Sequence, residues 1–158
     1  MREQTCCFIG HKQIPKTEIK ILKRNLKKQI KKLIKKGYKN FICSGAMGFD
    51  TLVAQTVIEL RNWYKDIRLS LVIPYTNQAE KWQEEDVLTY KEIISNADGI
   101  QVLSKIYYNG IIQVKNTYMI DNSNICIAYL RKPTGEIASA VNYTQNGEYC
   151  REIKCIML

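Results

Sequence analysis

The residues best suited to chemistry lie at turns that follow apolar runs. Ser44, Gly45, Gly48 and Asp50 stand between an apolar run and an amphipathic segment. Glycine lets a backbone turn tightly and approach a ligand, and the first turn of a following helix offers free N–H groups to an anion. The spacing is that of neither a dinucleotide-binding Gly-x-Gly-x-x-Gly loop nor a P-loop. Asp50 would bond ribose hydroxyls or favour the helix dipole, and the sequence leaves both roles open.

Polar residues follow other apolar runs in the same way. His11 is the only histidine and is a candidate phosphate donor or general acid, or an ordinary loop residue. Tyr75 and Trp82 are candidates for stacking on a base, although an aromatic side chain of this kind often packs internally. The residues that we predict to bind a ligand are Gly10, His11, Lys12, Ser44, Gly45, Ala46, Met47, Gly48, Asp50, Pro74, Tyr75, Gln78, Trp82, Ser104, Asn116, Asp121, Thr134 and Gly135.

The elements that must position these turns alternate along the chain. Apolar runs predict strands at residues 5–10, 38–44, 68–74, 99–103, 124–130 and 152–157, and helical periodicity lies between them at 47–64, 81–95, 110–121 and 137–145. Strands that are apolar along their length are buried on both faces. The pattern therefore predicts an α/β fold: a single doubly wound Rossmann-like domain over residues 1–158, with a mostly parallel sheet of about five to six strands and helices on both faces. Ligands of such sheets bind at the carboxyl ends of the strands.

The positive charge is concentrated in one segment. The chain has 158 residues and a net charge of +9, and residues 12–39 hold 12 Lys or Arg but a single acidic residue, Glu18. Apolar residues at helical spacing predict a helix with its lysines outward, ended by Gly37; they are Ile19, Leu22, Leu26, Ile30 and Leu33. A solvated face is the favoured interpretation, with phosphate or partner binding as alternatives. Nucleic acid is possible but not favoured, because this segment lacks interleaved aromatic residues for stacking on bases.

Several classes are excluded by what the sequence lacks. No apolar run approaches the ~20 residues of a transmembrane helix, and the start resembles no signal peptide, so we expect a cytoplasmic protein with no membrane partner. Of six cysteines, Cys6, Cys7, Cys43 and Cys126 lie in apolar runs as small hydrophobic residues. Without a Cys-x-x-Cys pair or a second histidine, we expect neither a metal nor a cofactor.

Several segments, in order, resemble the YpsA/YoqJ-like branch of the SLOG superfamily. Residues 7–12 (CFIGHK) resemble its x-x-G-H-R/K opening, and residues 41–50 (FICSGAMGFD) its F-I-S-G-G-A-x-G-x-D block. Residues 73–82 are similar to its P-F/Y-x-x-Q-x-x-x-W segment, and residues 116–121 (NTYMID) to R-N-x-x-M-V-D. The strand after that motif also matches, so the resemblance extends from about residue 5 to residue 145.

The resemblance implies a Rossmann-like fold whose glycine loops bind nucleotides or nucleotide-derived ligands. It adds Lys115 to the predicted binding residues, at a position where the branch usually has the planar guanidinium of arginine. Relatives include the Lonely Guy phosphoribohydrolases, the DNA-processing protein A family, which binds single-stranded DNA, and sensors of anti-phage systems. The phosphoribohydrolase motif P-G-G-x-G-T-x-x-E is absent, and residues 133–136 are Pro-Thr-Gly-Glu. Binding is therefore favoured over catalysis.

The sequence leaves three functions open. We expect binding of an ADP-ribose-type or cyclic nucleotide signal, by a homo-oligomeric sensor or a sequestering sponge, phage-encoded and directed against bacterial anti-phage signalling. The first alternative is a hydrolase of N-glycosidic or phosphoester bonds in nucleotides, for which Asp50, Asp121 and Glu136 are the candidate carboxylates. The second is single-stranded DNA binding through the Lys-rich segment.

Overall fold

Strands and helices alternate through the chain. The computed structural model describes residues 2–158, which form strands β1 (Thr5–Gly10), β2 (Asn40–Cys43), β3 (Arg68–Tyr75), β4 (Gly99–Ser104), β5 (Ile125–Tyr129) and β6 (Lys154–Met157). The helices are α1 (Lys16–Lys35), α2 (Phe49–Leu60), α3 (Glu84–Asn96), α4 (Ile111–Asp121) and α5 (Glu136–Asn146). No helix within the described range is both long and apolar enough to cross a membrane.

The strands form one six-stranded sheet in the order β4-β3-β2-β1-β5-β6, and every pairing is parallel. The prediction of a Rossmann-like α/β fold is confirmed. From β1 the chain adds β2, β3 and β4 on one side, then returns to add β5 and β6 on the other. The strand order therefore reverses between β1 and β5, where the two following loops diverge and leave a crevice outside the carboxyl ends.

Apolar cores lie on both faces of the sheet. The larger core joins α1, α2 and α3 to the sheet, and the smaller one joins α4 and α5 to the opposite face. The predicted stripe of α1 is buried at four positions, namely Leu22, Leu26, Ile30 and Leu33. Each such side chain stabilises the fold by about 1.5–3 kcal/mol relative to an exposed one. The stripe fixes α1 against the sheet and leaves its lysines in solvent, as the periodicity predicts.

Some element boundaries differ from the sequence expectation, for local reasons. Helix α2 begins at Phe49 rather than at residue 47, because Gly48 has φ +77° and forms a turn. Helix α3 begins at Glu84, so Trp82 lies in the preceding turn and not in the helix. Strand β3 continues through Pro74. The N–H that proline lacks breaks no hydrogen bond to β2, because β2 pairs with β3 only as far as Leu71.

Gly48 sets how closely the loop after β1 approaches the start of α2. A Cβ at this position would lie 2.2 Å from the carbonyl oxygen of Lys12, and the φ of +77° is unfavourable for any side chain. We predict that Gly48→Ala lowers the free energy of unfolding by about 2–3 kcal/mol. The control is Gly110→Ala, where φ is +97° but nothing lies within 4 Å, so only about 1 kcal/mol is lost. Urea denaturation measures both, and equal losses would contradict the steric argument.

Candidate functional site

A cavity of about 340 Å³ opens at the carboxyl edge of the sheet, where the strand order reverses. We call it the switch-point cavity; the loops after β1, β2 and β5 and one face of α4 line it. Its volume is at the lower end of the range for small-molecule sites. The predicted residues that line it are Gly10, His11, Lys12, Ser44, Ala46, Asp50, Lys115, Asn116, Thr134, Gly135 and Glu136.

Asp50 is the buried anion of the cavity. Only 4% of its surface is exposed, and its carboxylate accepts a 2.6 Å hydrogen bond from the Ser44 amide and another from the Ser44 hydroxyl. Gln78 donates to the Ser44 carbonyl at 3.1 Å and to the Tyr90 hydroxyl at 3.0 Å. The contacts within the protein indicate a role for Asp50 beyond the two that the sequence left open: its carboxylate fixes the glycine loop after β2.

Lys115 is the buried cation that faces Asp50. It is 8% exposed, and burial lowers the pKa of its ammonium, while the charge of Asp50 acts in the opposite direction. Burial likewise raises the pKa of Asp50, opposed by Lys115 and by the hydrogen bonds from Ser44. Removing each charge from water is costly, and each is partly compensated by the other. The pair places a cation beside a cavity large enough for a ligand.

Asn116 contributes a buried oxygen that has no partner. The residue is 3% exposed and lines the switch-point cavity, and its Oδ1 atom makes no hydrogen bond within the described chain. Buried polar atoms are nearly always bonded, and leaving one unpaired costs about 1–3 kcal/mol. The Asn116 oxygen is therefore an acceptor available to a donor group on a bound molecule.

His11 holds the loop after β5 against the loop after β1. Its Nε2 atom accepts a 2.8 Å hydrogen bond from the Arg131 amide, which requires the neutral imidazole. The Arg131 side chain donates to Glu18 at 3.0 Å and lies over the Tyr129 ring. Burial, followed by the charges of Lys132 and Arg131, lowers the pKa of His11. As an acceptor with one nitrogen committed, His11 acts in this structure as a positioning residue for the rim of the cavity.

A second cavity of about 680 Å³ adjoins the first, and we call it the outer cavity. It lies between the loop after β1, the start of α1 and the loop after β5. His11, Lys12 and Lys132 line both cavities. The shared wall is therefore cationic, and a molecule with two arms and a central anionic group would match the two volumes on either side of it.

Other predicted binding residues lie outside the switch-point cavity. Tyr75 contacts the Tyr107 ring at 5.4 Å, Trp82 packs on Tyr90 at 5.1 Å, and the Ser104 hydroxyl donates to the Ile106 carbonyl. Gln78 acts through Ser44, as described above. Four further predicted residues also do not line it, namely Gly45, Met47 and Gly48 of the loop after β2 and Pro74 within β3.

The predicted position of Asp121 is wrong. We expected it at the carboxyl edge, but it ends α4 at the opposite end of the sheet, where it accepts a 2.8 Å hydrogen bond from the Tyr143 hydroxyl. The reason is that a helix in this fold runs antiparallel to the strands it follows. The start of α4 is at the carboxyl edge and its end is not, so of the three candidate carboxylates only Asp50 and Glu136 line the cavity.

Five residues that line the switch-point cavity were not predicted, although the sequence positions of three of them could have indicated it. They are Phe8, Ile9, Ile112, Lys132 and Ile137. Lys132 and Ile137 flank the predicted loop at Thr134 and Gly135, and Ile112 lies three and four residues before Lys115 and Asn116, on one helix face. Phe8 and Ile9 are buried strand residues, and nothing in their type distinguishes lining residues from core.

The fold and the glycine loops at its carboxyl edge define a Rossmann-like α/β protein. The YpsA family model, described as the YspA SLOG family, matches residues 9–156. The chain belongs to this family.

Relatives in sequence agree with that assignment. The chain is 32% identical over 106 residues to a UPF0398 protein of Brevibacillus brevis, covering 66% of this chain and 56% of that protein. It is 32% identical over 114 residues to a UPF0398 protein of Macrococcus caseolyticus, covering 71% and 62%. The matches thus span less than two thirds of the length of these relatives.

Two solved structures share the fold. DNA processing protein A from Helicobacter pylori aligns with a TM-score of 0.67 and 14% identity, over 97% of this chain and 64% of that one. DNA processing protein A from Streptococcus pneumoniae aligns with a TM-score of 0.54 and 10% identity, over 96% and 58%. At these identities the likeness shows the fold alone.

The His11 contact predicts a pH dependence of stability. Because the folded pKa lies below the ordinary value of 6.5, the unfolded chain binds the proton more readily. The contribution of His11 to stability is therefore complete above about pH 6.5 and is lost as pH falls through its lower folded pKa. His11→Gln retains an acceptor but does not titrate. As the pH falls below 6.5, the unmodified protein should therefore lose stability that the variant keeps. The difference between their free energies of unfolding should shift in favour of the variant from its value at pH 8. Urea denaturation between pH 5 and 8 measures this, and parallel curves would contradict it.

Proposed function

We propose that the protein binds a nucleotide-derived small molecule in the switch-point cavity. The observation that carries this proposal is the unpartnered, buried Asn116 oxygen beside the buried ammonium of Lys115. An apolar wall with a few convergent polar groups and shifted pKa values is the usual character of a ligand site. A ligand with a donor group and an anionic group would satisfy both residues together.

The anionic part of the ligand is best placed on the cationic wall. Lys12 and Lys132 line both cavities, and α5 begins at Glu136, after an N-cap residue, Gly135, that provides no capping side chain. The N–H groups of its first turn and the positive end of its dipole favour a phosphate there. A diphosphate at this wall would leave one arm for each cavity. These features support an ADP-ribose-type ligand over a simple nucleoside monophosphate.

Binding is supported better than hydrolysis by the state of the carboxylates. Asp50 is occupied by the two hydrogen bonds from Ser44, which leaves Glu136 as the accessible carboxylate of the cavity. We therefore propose a sensor or sequestering role. The phage-encoded sponge and the homo-oligomer stay predictions.

Substitutions at the two buried residues test the proposal. We predict that Lys115→Met weakens the binding of ADP-ribose by about 10–100-fold, as expected for a lost charge-assisted hydrogen bond, while Lys91→Met on the exposed surface of α3 leaves it unchanged. Asn116→Leu removes the unpaired oxygen, so we expect weaker binding without a loss of stability. Isothermal titration calorimetry and urea denaturation measure the two effects.

The outcomes separate a binding residue from a structural one. A variant that binds as the unmodified protein does would contradict the role of its residue. If Asn116→Leu instead lowers stability, the Asn116 side chain also has a structural role. Absence of binding to ADP-ribose, AMP and cyclic ADP-ribose by the unmodified protein would contradict the proposal itself.

Single-stranded DNA is the second candidate ligand, and it has its own observation. The Helicobacter pylori structure that shares this fold is described by its single-stranded DNA binding mode. At the opposite edge of the present sheet, a cavity of about 310 Å³ is lined by three aromatic residues with Lys39, Lys65 and Asp66. We call it the basal cavity; the aromatic residues are Tyr38, Trp63 and Tyr64.

The basal cavity brings Trp63 and Tyr64 beside the end of the Lys-rich segment, where Tyr38 lies. Trp63 is 77% exposed, and the cavity also includes Ile34 and Gly37, at the end of α1. The C-terminal end of α1 therefore lies at a platform on which a base could stack. Stacking platforms beside cations are the usual means of binding single strands without sequence preference.

The salt dependence of the affinity and the effect of replacing Trp63 test the binding of DNA. This candidate predicts that an oligo-dT strand binds with an affinity that falls steeply with salt, and that Trp63→Ala weakens it by about 5–100-fold. Tyr108→Ala, at an exposed position on the other edge, is the matched control. Fluorescence anisotropy measures both. Weak binding that does not change with salt would eliminate this candidate.

A further inference from the structure

Three cysteines form a row across adjacent strands. The strand register places Cys7 of β1 opposite Cys126 of β5, and Cys126 opposite Cys155 of β6. All three side chains face the smaller core, on the side of α5. Cys7 and Cys126 are fully buried, whereas Cys155 is partly exposed. A reagent from solvent would therefore reach the row at Cys155.

The spacing of Cys126 and Cys155 suits a covalent bond. Neighbouring strands lie about 4.8 Å apart, which falls within the range of about 4.4–6.8 Å that disulfides span between Cα atoms. The two residues are directly opposed in register, so their side chains leave the sheet on the same face. The register therefore places the two thiols beside each other on one face of the sheet.

The two thiols differ in reactivity. A hydrogen bond from Cys126, with another from Thr144, lowers the pKa of Cys155 to about 7 against the effect of burial. The same contact, the neighbouring Cys7 and burial raise the pKa of Cys126 well above its ordinary value. The thiolate is the nucleophilic form of cysteine. Cys155 thus has the properties of an attacking residue and Cys126 those of a resolving one.

We propose that Cys155 is a site of oxidation by peroxide and that Cys126 resolves it to a disulfide between β5 and β6. The Cys155 thiolate attacks one oxygen of the peroxide: an S–O bond forms, the O–O bond breaks and hydroxide leaves. The Cys126 sulfur then attacks the sulfenic sulfur, forming the S–S bond and breaking the S–O bond. Hydroxide departs and takes the Cys126 proton as water. With hydrogen peroxide, two thiols give one disulfide and two waters.

The bond would fix the edge of the sheet near the rim of the candidate site. Within the described part of the chain, strand β6 pairs with β5 alone, at the end of the sheet. The carbonyl of Leu158, just after β6, accepts a 3.0 Å hydrogen bond from Arg131, the residue whose amide contacts His11. The disulfide would thus tie β6, which precedes the Leu158 carbonyl, covalently to β5, which precedes Arg131. The proposal does not depend on which ligand the cavity binds.

Peptide mapping of the unmodified protein after treatment with hydrogen peroxide tests the proposal. Cleavage by trypsin after Arg131, Arg151 and Lys154 places Cys126, Cys150 and Cys155 in different peptides. We expect the peptides of Cys126 and Cys155 to be joined, with a mass about 2 Da below their sum because two hydrogens are lost. A join between Cys150 and Cys155, a bond between two molecules, or Cys155 oxidised directly to sulfinic acid would overturn the proposal.

Variants identify the order of the two steps. In Cys126→Ala the sulfenic acid cannot be resolved, so dimedone should label Cys155 strongly, whereas the unmodified protein is labelled little. Cys155→Ser should form no disulfide, and Cys150→Ser, the matched control at another partly exposed cysteine, should behave as the unmodified protein. Alkylation of Cys155 should accelerate with pH around a midpoint near 7. Oxidation that persists in Cys155→Ser at Cys126 would contradict the assignment of the attacking residue.

Discussion

The burial of Asp50 beside Lys115 is the interaction on which the carboxyl edge depends. A carboxylate removed from water must be compensated by hydrogen bonds and an opposite charge, and here Ser44 and Lys115 supply them. Gln78 fixes the Ser44 carbonyl in turn. The conformation of the glycine loop after β2 and the position of the cation on α4 are therefore linked through a single buried charge. That charge lies in the wall of the switch-point cavity.

The consequence is a site whose geometry is present before any ligand binds. Gly48 allows the loop after β1 to lie against α2, and the hydrogen bond from the Arg131 amide to His11 brings the loop after β5 to the same point. These contacts position the rim, and Lys115 and Asn116 form the interior. Among residues 2–158, none donates a hydrogen bond to the Asn116 oxygen. Preorganisation of this kind lowers the cost of ordering side chains on binding.

The sequence predicted the layers of the fold well, because the physical signal is local. Runs such as residues 5–10 and 124–130 are apolar on both faces, as only a covered parallel sheet requires, and the stripe of α1 is periodic from Ile19 to Leu33. The predicted position of Asp121 was wrong because α4 runs antiparallel to the strands, which puts its last residue at the far edge of the sheet. The Arg131 contact with His11 spans 120 residues of sequence, and the unpaired state of Asn116 depends on what surrounds it. Neither has a signal in the local pattern.

The central claim is that the switch-point cavity binds a nucleotide-derived molecule, and native mass spectrometry tests it most directly. The protein would be incubated with AMP, ADP-ribose and cyclic ADP-ribose, and the masses of the protein complex and of the free compounds would be measured. We predict an intact compound of the ADP-ribose type retained one to one, with the free pool unchanged. Conversion of the free compound would assign an enzyme instead of a binding protein, and retention of none of the three would contradict the claim.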